Sequence, residues 1–290
     1  MATIKETILN GTKQLVSANI EDANFNILCM ASNILNCTNT QLPLHYNDTA
    51  KEEFIIKINS MIERRIKHEP LQYILGNWDF LDFTVKVDKR VLIPRPETEE
   101  VFLAAKKLIK EYIIPRTGEK FYFADIGTGS GVLGIAMART FTQSFGCMSD
   151  ISEEALNLAK ENAKDLIPDY EKHVEFIIHD LINNFAEKSV DVIISNPPYI
   201  KKDDIKNLMP EIRDYEPHTA LNSGYLGYEM PVCIIQKAEK VLKHGGLVIV
   251  EHGDGQQKDI LKYFNKDKWK LFEGKKDLSN KERYVYGILA

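Results

Sequence analysis

The chain predicts an α/β fold: a doubly wound, mainly parallel sheet preceded by a small helical domain and a hairpin-like linker. Three observations carry this. Strand-like apolar runs alternate with helical patterns from Phe121 to the C terminus. A glycine-rich turn at 127–131 joins the first of those runs to a helix. Helical periodicity fills the chain from Ile4 to about Ile74.

The elements follow in order. The helical N-terminal stretch is interrupted by loop signals between Asn36 and Asn47, at Thr38, Asn39, Pro43 and Asn47. Residues 79–91 alternate well enough for two short strands around Val87, Asp88 and Lys89, and Pro94 and Pro96 then restrict the backbone. Strands are expected near Phe121, Ser144, Val174, Val190 and Leu247, with helices between them, most clearly at 153–164. Residues 176–178, 268–272 and 284–289 add strand candidates. The expected division is a helical domain at 1–75, a β-hairpin linker at 76–94 and an α/β domain at 95–290.

Length and composition agree. At 290 residues the chain exceeds a typical domain of about 100–200 residues, so two domains are expected. A hydrophobic fraction of 44% supports a buried core. Lys and Arg number 37 against 42 Asp and Glu, a net charge of −5 without a concentrated basic footprint, which argues against duplex nucleic acid as principal partner. No run approaches the roughly 18 apolar residues of a membrane span, and Lys5 and Glu6 interrupt any secretory segment, so a cytoplasmic protein is expected. Cys29, Cys37, Cys147 and Cys233 lack metal-like pairing and are read as reduced thiols, and the seven histidines show no metal spacing. No metal is expected. Arg95, Glu97, Glu99 and Glu100 read as a helix start, and Lys201 to Asp204 as a solvated face.

The glycine turn points to a ligand. A short apolar run containing Asp125 leads through Gly127, Thr128, Gly129, Ser130 and Gly131 into a helical pattern at Val132, Leu133, Ile135 and Ala136. Glycines there let a ligand approach the backbone. Gly129, Gly131 and Gly134 also satisfy the loose dinucleotide pattern, and Asp150 ends a second strand-like run where a carboxylate would accept ribose hydroxyls from either cofactor. The turn therefore implies an adenosine-containing cofactor; a purely structural turn is the plainer alternative.

Asn196, Pro197, Pro198 and Tyr199 narrow the choice. They follow the strand-like run 190–195, which delivers Asn196 to the ligand-binding edge of a doubly wound sheet. Two prolines fix φ and lack N–H groups, so their carbonyls stand ready to accept. The Asn196 side-chain oxygen and the Pro197 carbonyl suit the two N–H bonds of a primary amide or exocyclic amine, with the Tyr199 ring stacked on its plane. An ordinary Asn-Pro turn is the competing reading.

Taken together, these residues resemble the protein-glutamine N5-methyltransferases that modify peptide chain release factors. GNWDFLDFTVKVDKRVLIPRPETE at 76–99, DIGTGSG at 125–131, SNPPYI at 195–200, YEPHTAL at 215–221, EHG at 251–253 and DLSNKERY at 277–284 resemble family segments in the family's order. The resemblance implies a class I S-adenosylmethionine-dependent methyltransferase domain with an antiparallel edge formed by the last pair of strands. It implies cofactor contacts at Gly127, Thr128, Gly129, Ser130, Gly131, Asp150 and Asn196, with Asp180 and Leu181 beside the adenine. Leu181 departs from the family, some members of which carry tryptophan there. Asn196, Pro197, Pro198 and Tyr199 would bind the glutamine, with Asn196, Pro197 and Tyr199 serving the transfer itself. The implied target is the glutamine of the glycine-glycine-glutamine loop of a release factor, docked by the N-terminal domain.

Other readings share parts of this site. An adenine-N6 nucleic-acid methyltransferase would use residues 196–199 on a flipped base, and a ribosomal-protein glutamine methyltransferase would use them on another protein. A cofactor-binding scaffold would retain the fold without turnover, and a nicotinamide oxidoreductase would retain the glycine turn.

Overall fold

The helical pattern at the start of the chain resolves, in a computed structural model that describes residues 2–183 and 185–290, into α1 (Ile4–Ser17), α2 (Ala23–Leu35), α3 (Glu52–Ile66) and α4 (Leu71–Leu75). Thr3 caps α1 in a capping box with Glu6, satisfying two otherwise unpaired N–H groups. Ile4, Ile8, Leu15, Ile27, Met30, Phe54, Ile58 and Ile62 form one buried cluster. Gly11 lets the helices approach closely, since a Cβ there would lie 2.6 Å from Ile27 Cδ1. Full burial of each such side chain contributes about 1.5–3 kcal/mol.

The second unit begins at Trp78, within a two-stranded sheet of β1 (Asn77–Phe80) and β2 (Phe83–Lys86). Its turn lies at Leu81 and Asp82, not at Val87 to Lys89 as the alternation suggested. Phe80, Phe83 and Val85 are buried while Asp79, Thr84 and Lys86 are exposed, and the Thr84 hydroxyl donates to Asp79 Oδ1 across the pair. The turn escapes a sequence reading because Leu81 adopts φ +53° with no glycine or asparagine to announce it. At Asp88 to Val91 the chain does turn, but into the Pro94 to Pro96 segment rather than into a second strand.

The remaining elements are α5 (Pro96–Leu108), α6 (Ile114–Thr117), β3 (Tyr122–Ile126), α7 (Val132–Thr140), β4 (Phe145–Asp150), α8 (Glu153–Leu166), β5 (Val174–Ile178), β6 (Val190–Ser195), α9 (Pro210–Arg213), α10 (Glu229–Val241), β7 (Leu242–Glu251), α11 (Gln257–Leu261), β8 (Trp269–Lys276) and β9 (Glu282–Leu289). The segment Met209–Tyr215, which contains α9, belongs to the helical unit. There Arg65, 6% exposed, donates to Asn26 Oδ1 at 2.6 Å, to the Glu69 carbonyl at 3.1 Å and to Glu211 Oε1 at 2.5 Å.

Seven strands form one sheet in the order β5-β4-β3-β6-β7-β9-β8. β9 runs antiparallel to both neighbours, whereas the pairs from β5 to β7 are parallel. β6 is buried along its whole length, as expected of a central parallel strand covered on both faces. The order reverses between β3 and β6, which makes their carboxyl edge a topological switch point. Ile126 lies opposite both Ser149 and Ser195, so β3, β4 and β6 end at one level. Gly127, Asp150 and Asn196 are thereby neighbours. Among the described residues no helix is long and apolar enough to cross a membrane.

Candidate active site

A cavity of about 390 Å³ opens at that switch point, within the roughly 300–1,000 Å³ usual for small-molecule sites. Its wall includes Gly127, Thr128, Gly129, Ser130, Asp150, Asp180, Leu181, Asn196 and Pro198, together with Thr98 from the first turn of α5. Gly131, Pro197 and Tyr199 lie outside the wall. Gly131 starts α7 against Met148, Pro197 is buried and Tyr199 is half-buried.

The glycine loop is braced from beneath. Asp125 is fully buried; its Oδ2 accepts the Thr128 hydroxyl at 2.6 Å and the Gly134 N–H at 2.8 Å, while its Oδ1 has no partner. Burial pushes this carboxyl up to about 7 against those two donors. Asn162 Nδ2 donates to the Ser130 carbonyl at 2.9 Å and fixes the far side of the loop. Gly127 and Gly129 have φ of +70° and +54°, and a Cβ on either would meet nothing within 4 Å. Their missing side chains leave open space in which a ligand can lie against the backbone.

Asp150 sits where β4 gives way to α8. Its Oδ2 accepts the Gly129 N–H at 3.0 Å and its Oδ1 the Ser152 N–H at 2.9 Å, while Ser152 caps α8 through the Ala155 N–H. Burial raises its pKa, opposed by these backbone donors. Each carboxylate oxygen keeps a lone pair for a further donor, such as one hydroxyl of a ribose diol. The apolar wall, the open glycines and this carboxylate fit a nucleoside-containing cofactor. Leu181 lines the cavity at φ +51°, a conformation uncommon for a bulky residue and of the kind retained at functional sites. Asp180 accepts from Asn183 Nδ2 at 3.1 Å.

On the β6 side, Ser195 donates to the Ile126 carbonyl at 2.6 Å and joins the ends of β6 and β3. Asn196 Nδ2 donates to Thr98 Oγ1 at 2.9 Å, and the Thr98 hydroxyl donates to Glu251 Oε2 at 2.8 Å. The Tyr199 hydroxyl faces Glu251 Oε1 at 3.4 Å, and Gln256 Nε2 donates to the Tyr199 carbonyl at 2.9 Å. Burial pushes Glu251 up to about 7, against the Thr98 hydroxyl and the Arg283 charge. Thr98, Glu251 and Gln256 received no role from the sequence. Thr98 and Glu251 fall within segments that carry the resemblance, but neither residue type announces a site, and only folding joins them. Among the described residues no group of three or more His, Cys, Asp or Glu is placed to hold a metal ion.

Residues 6–76 match the family model of the PrmC N-terminal domain, and residues 105–213 that of the Methyltransferase small domain. The release factor glutamine methyltransferase of Thermodesulfovibrio yellowstonii is 41% identical over 231 residues, 79% of each chain. That of Caulobacter vibrioides is 31% identical over 95% of this chain and 92% of its own, and that of Bacillus anthracis 33% identical over 83% and 82%. The α/β unit is a class I S-adenosylmethionine-dependent methyltransferase domain, as the sequence predicted. A match of this extent, at this identity and across both units, shows that the chain belongs to the release factor glutamine methyltransferase family.

Proposed function

We propose that the protein transfers the methyl group of S-adenosylmethionine to the side-chain amide nitrogen of the glutamine in the glycine-glycine-glutamine loop of a peptide chain release factor. The observation that carries this reading is the orientation of Asn196. Its Nδ2 is engaged by Thr98, which leaves Oδ1 as the arm free to accept an N–H.

S-adenosylmethionine, when bound, supplies an electrophilic methyl on a sulfonium. Gly127, Thr128, Gly129, Ser130 and Gly131 would hold it through the backbone, Asp150 through its carboxylate, and Asp180 and Leu181 at the adenine end. An amide nitrogen is a poor nucleophile because its lone pair is delocalised into the carbonyl, so orientation makes up much of the catalysis. Asn196 Oδ1 and the Pro197 carbonyl would accept the two N–H bonds of the glutamine amide, and Tyr199, tethered at its hydroxyl, would restrict the amide plane. Positive charge grows on that nitrogen during attack, and the same two acceptors, placed before reaction, stabilise it. No strong general base is needed before attack.

The helical unit would dock the release factor, with residues 1–75 as the docking domain, 76–94 as the linker and 95–290, outside Met209–Tyr215, as the catalytic domain. Phe25, Leu44 and Ile56 are exposed at 49%, 80% and 62%, and so present apolar surface to a protein partner. The reading is tested by offering labelled S-adenosylmethionine with intact release factor, ribosomal protein and single-stranded DNA as competing acceptors. Label in the release factor supports it; label in either competitor would replace it with the corresponding alternative.

A further inference from the structure

We infer that Thr98 and Glu251 are positioning residues for the methyl-accepting amide: they set the direction of a buried hydrogen-bond chain that ends on Asn196 and turns its side-chain oxygen to the substrate. The inference rests on the glutamine-methylating reading above and deepens it.

A hydroxyl carries one proton. Thr98 spends that proton on Glu251 Oε2, at 2.8 Å, and can then only accept from Asn196, whose Nδ2 stands 2.9 Å away. The amide of Asn196 must therefore present nitrogen to Thr98 and oxygen away from it. Thr98 and Glu251 are 2% and 0% exposed, so neither can exchange its partner for bulk water. The two residues are 153 positions apart, on α5 and at the end of β7, and meet only through the fold. With Oε1 facing the Tyr199 hydroxyl, one carboxylate is aligned with both Asn196 and Tyr199.

Protonating Glu251 reverses the chain. The carboxylic acid would donate to Thr98, the Thr98 proton would turn to Asn196 Oδ1, and Nδ2 would swing toward the substrate. Two donors would then face each other where an acceptor is required. The groups facing Glu251 are Thr98 and Glu97 from α5, Tyr199 from the loop after β6 and Arg283 from β9; Arg283 favours the charged form and Glu97 opposes it. With burial pushing Glu251 up to about 7, the reversal falls near neutral pH, and turnover should rise as pH increases through that range.

The test compares Thr98→Val, which keeps the volume and removes the hydroxyl, with Thr98→Ser, which restores it. For methylation of intact release factor, kcat of the valine variant is expected to fall roughly 10- to 100-fold, with S-adenosylmethionine affinity within about threefold of wild type by calorimetry. Serine is expected to recover turnover to within about threefold, and the rise of kcat with pH to persist in wild type and serine but not in valine. Wild-type-like turnover in the valine variant, or equal impairment of both variants with an unchanged pH profile, overturns the positioning role. An inactive wild type would overturn the reading of the substrate itself, and the same assay distinguishes the two failures.

Discussion

Replacing Asp150 with asparagine should weaken S-adenosylmethionine binding by an amount that the geometry fixes. The carboxylate accepts the Gly129 N–H at 3.0 Å on one oxygen and the Ser152 N–H at 2.9 Å on the other, and each oxygen retains one lone pair. Two ribose hydroxyls would take those remaining positions. Asparagine keeps one oxygen, replaces the other with an NH₂ facing a backbone donor, and removes the charge. A hydrogen bond to a charged group is worth about 1.5–3 kcal/mol, so the dissociation constant should rise roughly 10- to 150-fold. Isothermal titration calorimetry reads this directly, with thermal unfolding confirming that the variant is folded. An affinity within about threefold of wild type in the folded variant would refute the assignment of Asp150 to the ribose.

Three further outcomes are expected. Asn196→Ala should lower kcat on release factor by roughly 100-fold or more while leaving the melting temperature near wild type, because it removes an orienting group at a half-buried loop position; unchanged kcat in steady-state kinetics would exclude the role. Arg65→Met should destabilise the protein by about 3–5 kcal/mol in urea unfolding, since it strands the Glu211 carboxylate and removes bonds to Asn26 and the Glu69 carbonyl; a loss below about 1 kcal/mol would show that the pair is not structural. Glu251 binds more protons folded than unfolded between its ordinary value of 4.5 and about 7, so its contribution to stability declines as pH rises through that window. Glu251→Gln removes this dependence, and the stability difference between variant and wild type should shift in the variant's favour by roughly 2.5 kcal/mol from pH 5 to pH 8; a constant difference across that range would contradict the raised value.

Much of the fold was legible because periodicity and turn chemistry act locally. The alternation of apolar runs and helices from Phe121 onward gives the succession of strands and helices along the chain, though not their order in the sheet, and the strand, glycine turn and helix around Gly127 to Gly131 follow from backbone needs that few other residues meet. The same reasoning placed Asp150 and Asn196 at one edge, because a strand's carboxyl end is visible in sequence. The hairpin turn was missed at Leu81, where a left-handed backbone is carried by a residue that does not favour it. The Glu251, Thr98 and Asn196 chain was invisible for another reason: its members lie on α5, β7 and the loop after β6, and their side chains acquire meaning only when folding removes water from all three. The attachment of Met209–Tyr215 to the helical unit, clamped by Arg65 on Glu211, is likewise a long-range contact that no local pattern encodes.

The central claim is that a glutamine amide, held by Asn196, receives the methyl group. The most direct measurement is transfer of labelled methyl from S-adenosylmethionine into purified release factor, run beside a release factor whose loop glutamine is replaced by alanine and beside the Asn196→Ala enzyme. Label confined to the pairing of wild-type enzyme with unmodified release factor is the predicted result. Equal label in the glutamine-to-alanine release factor would contradict the account, because the methyl would then be going to an atom that this site is not built to hold.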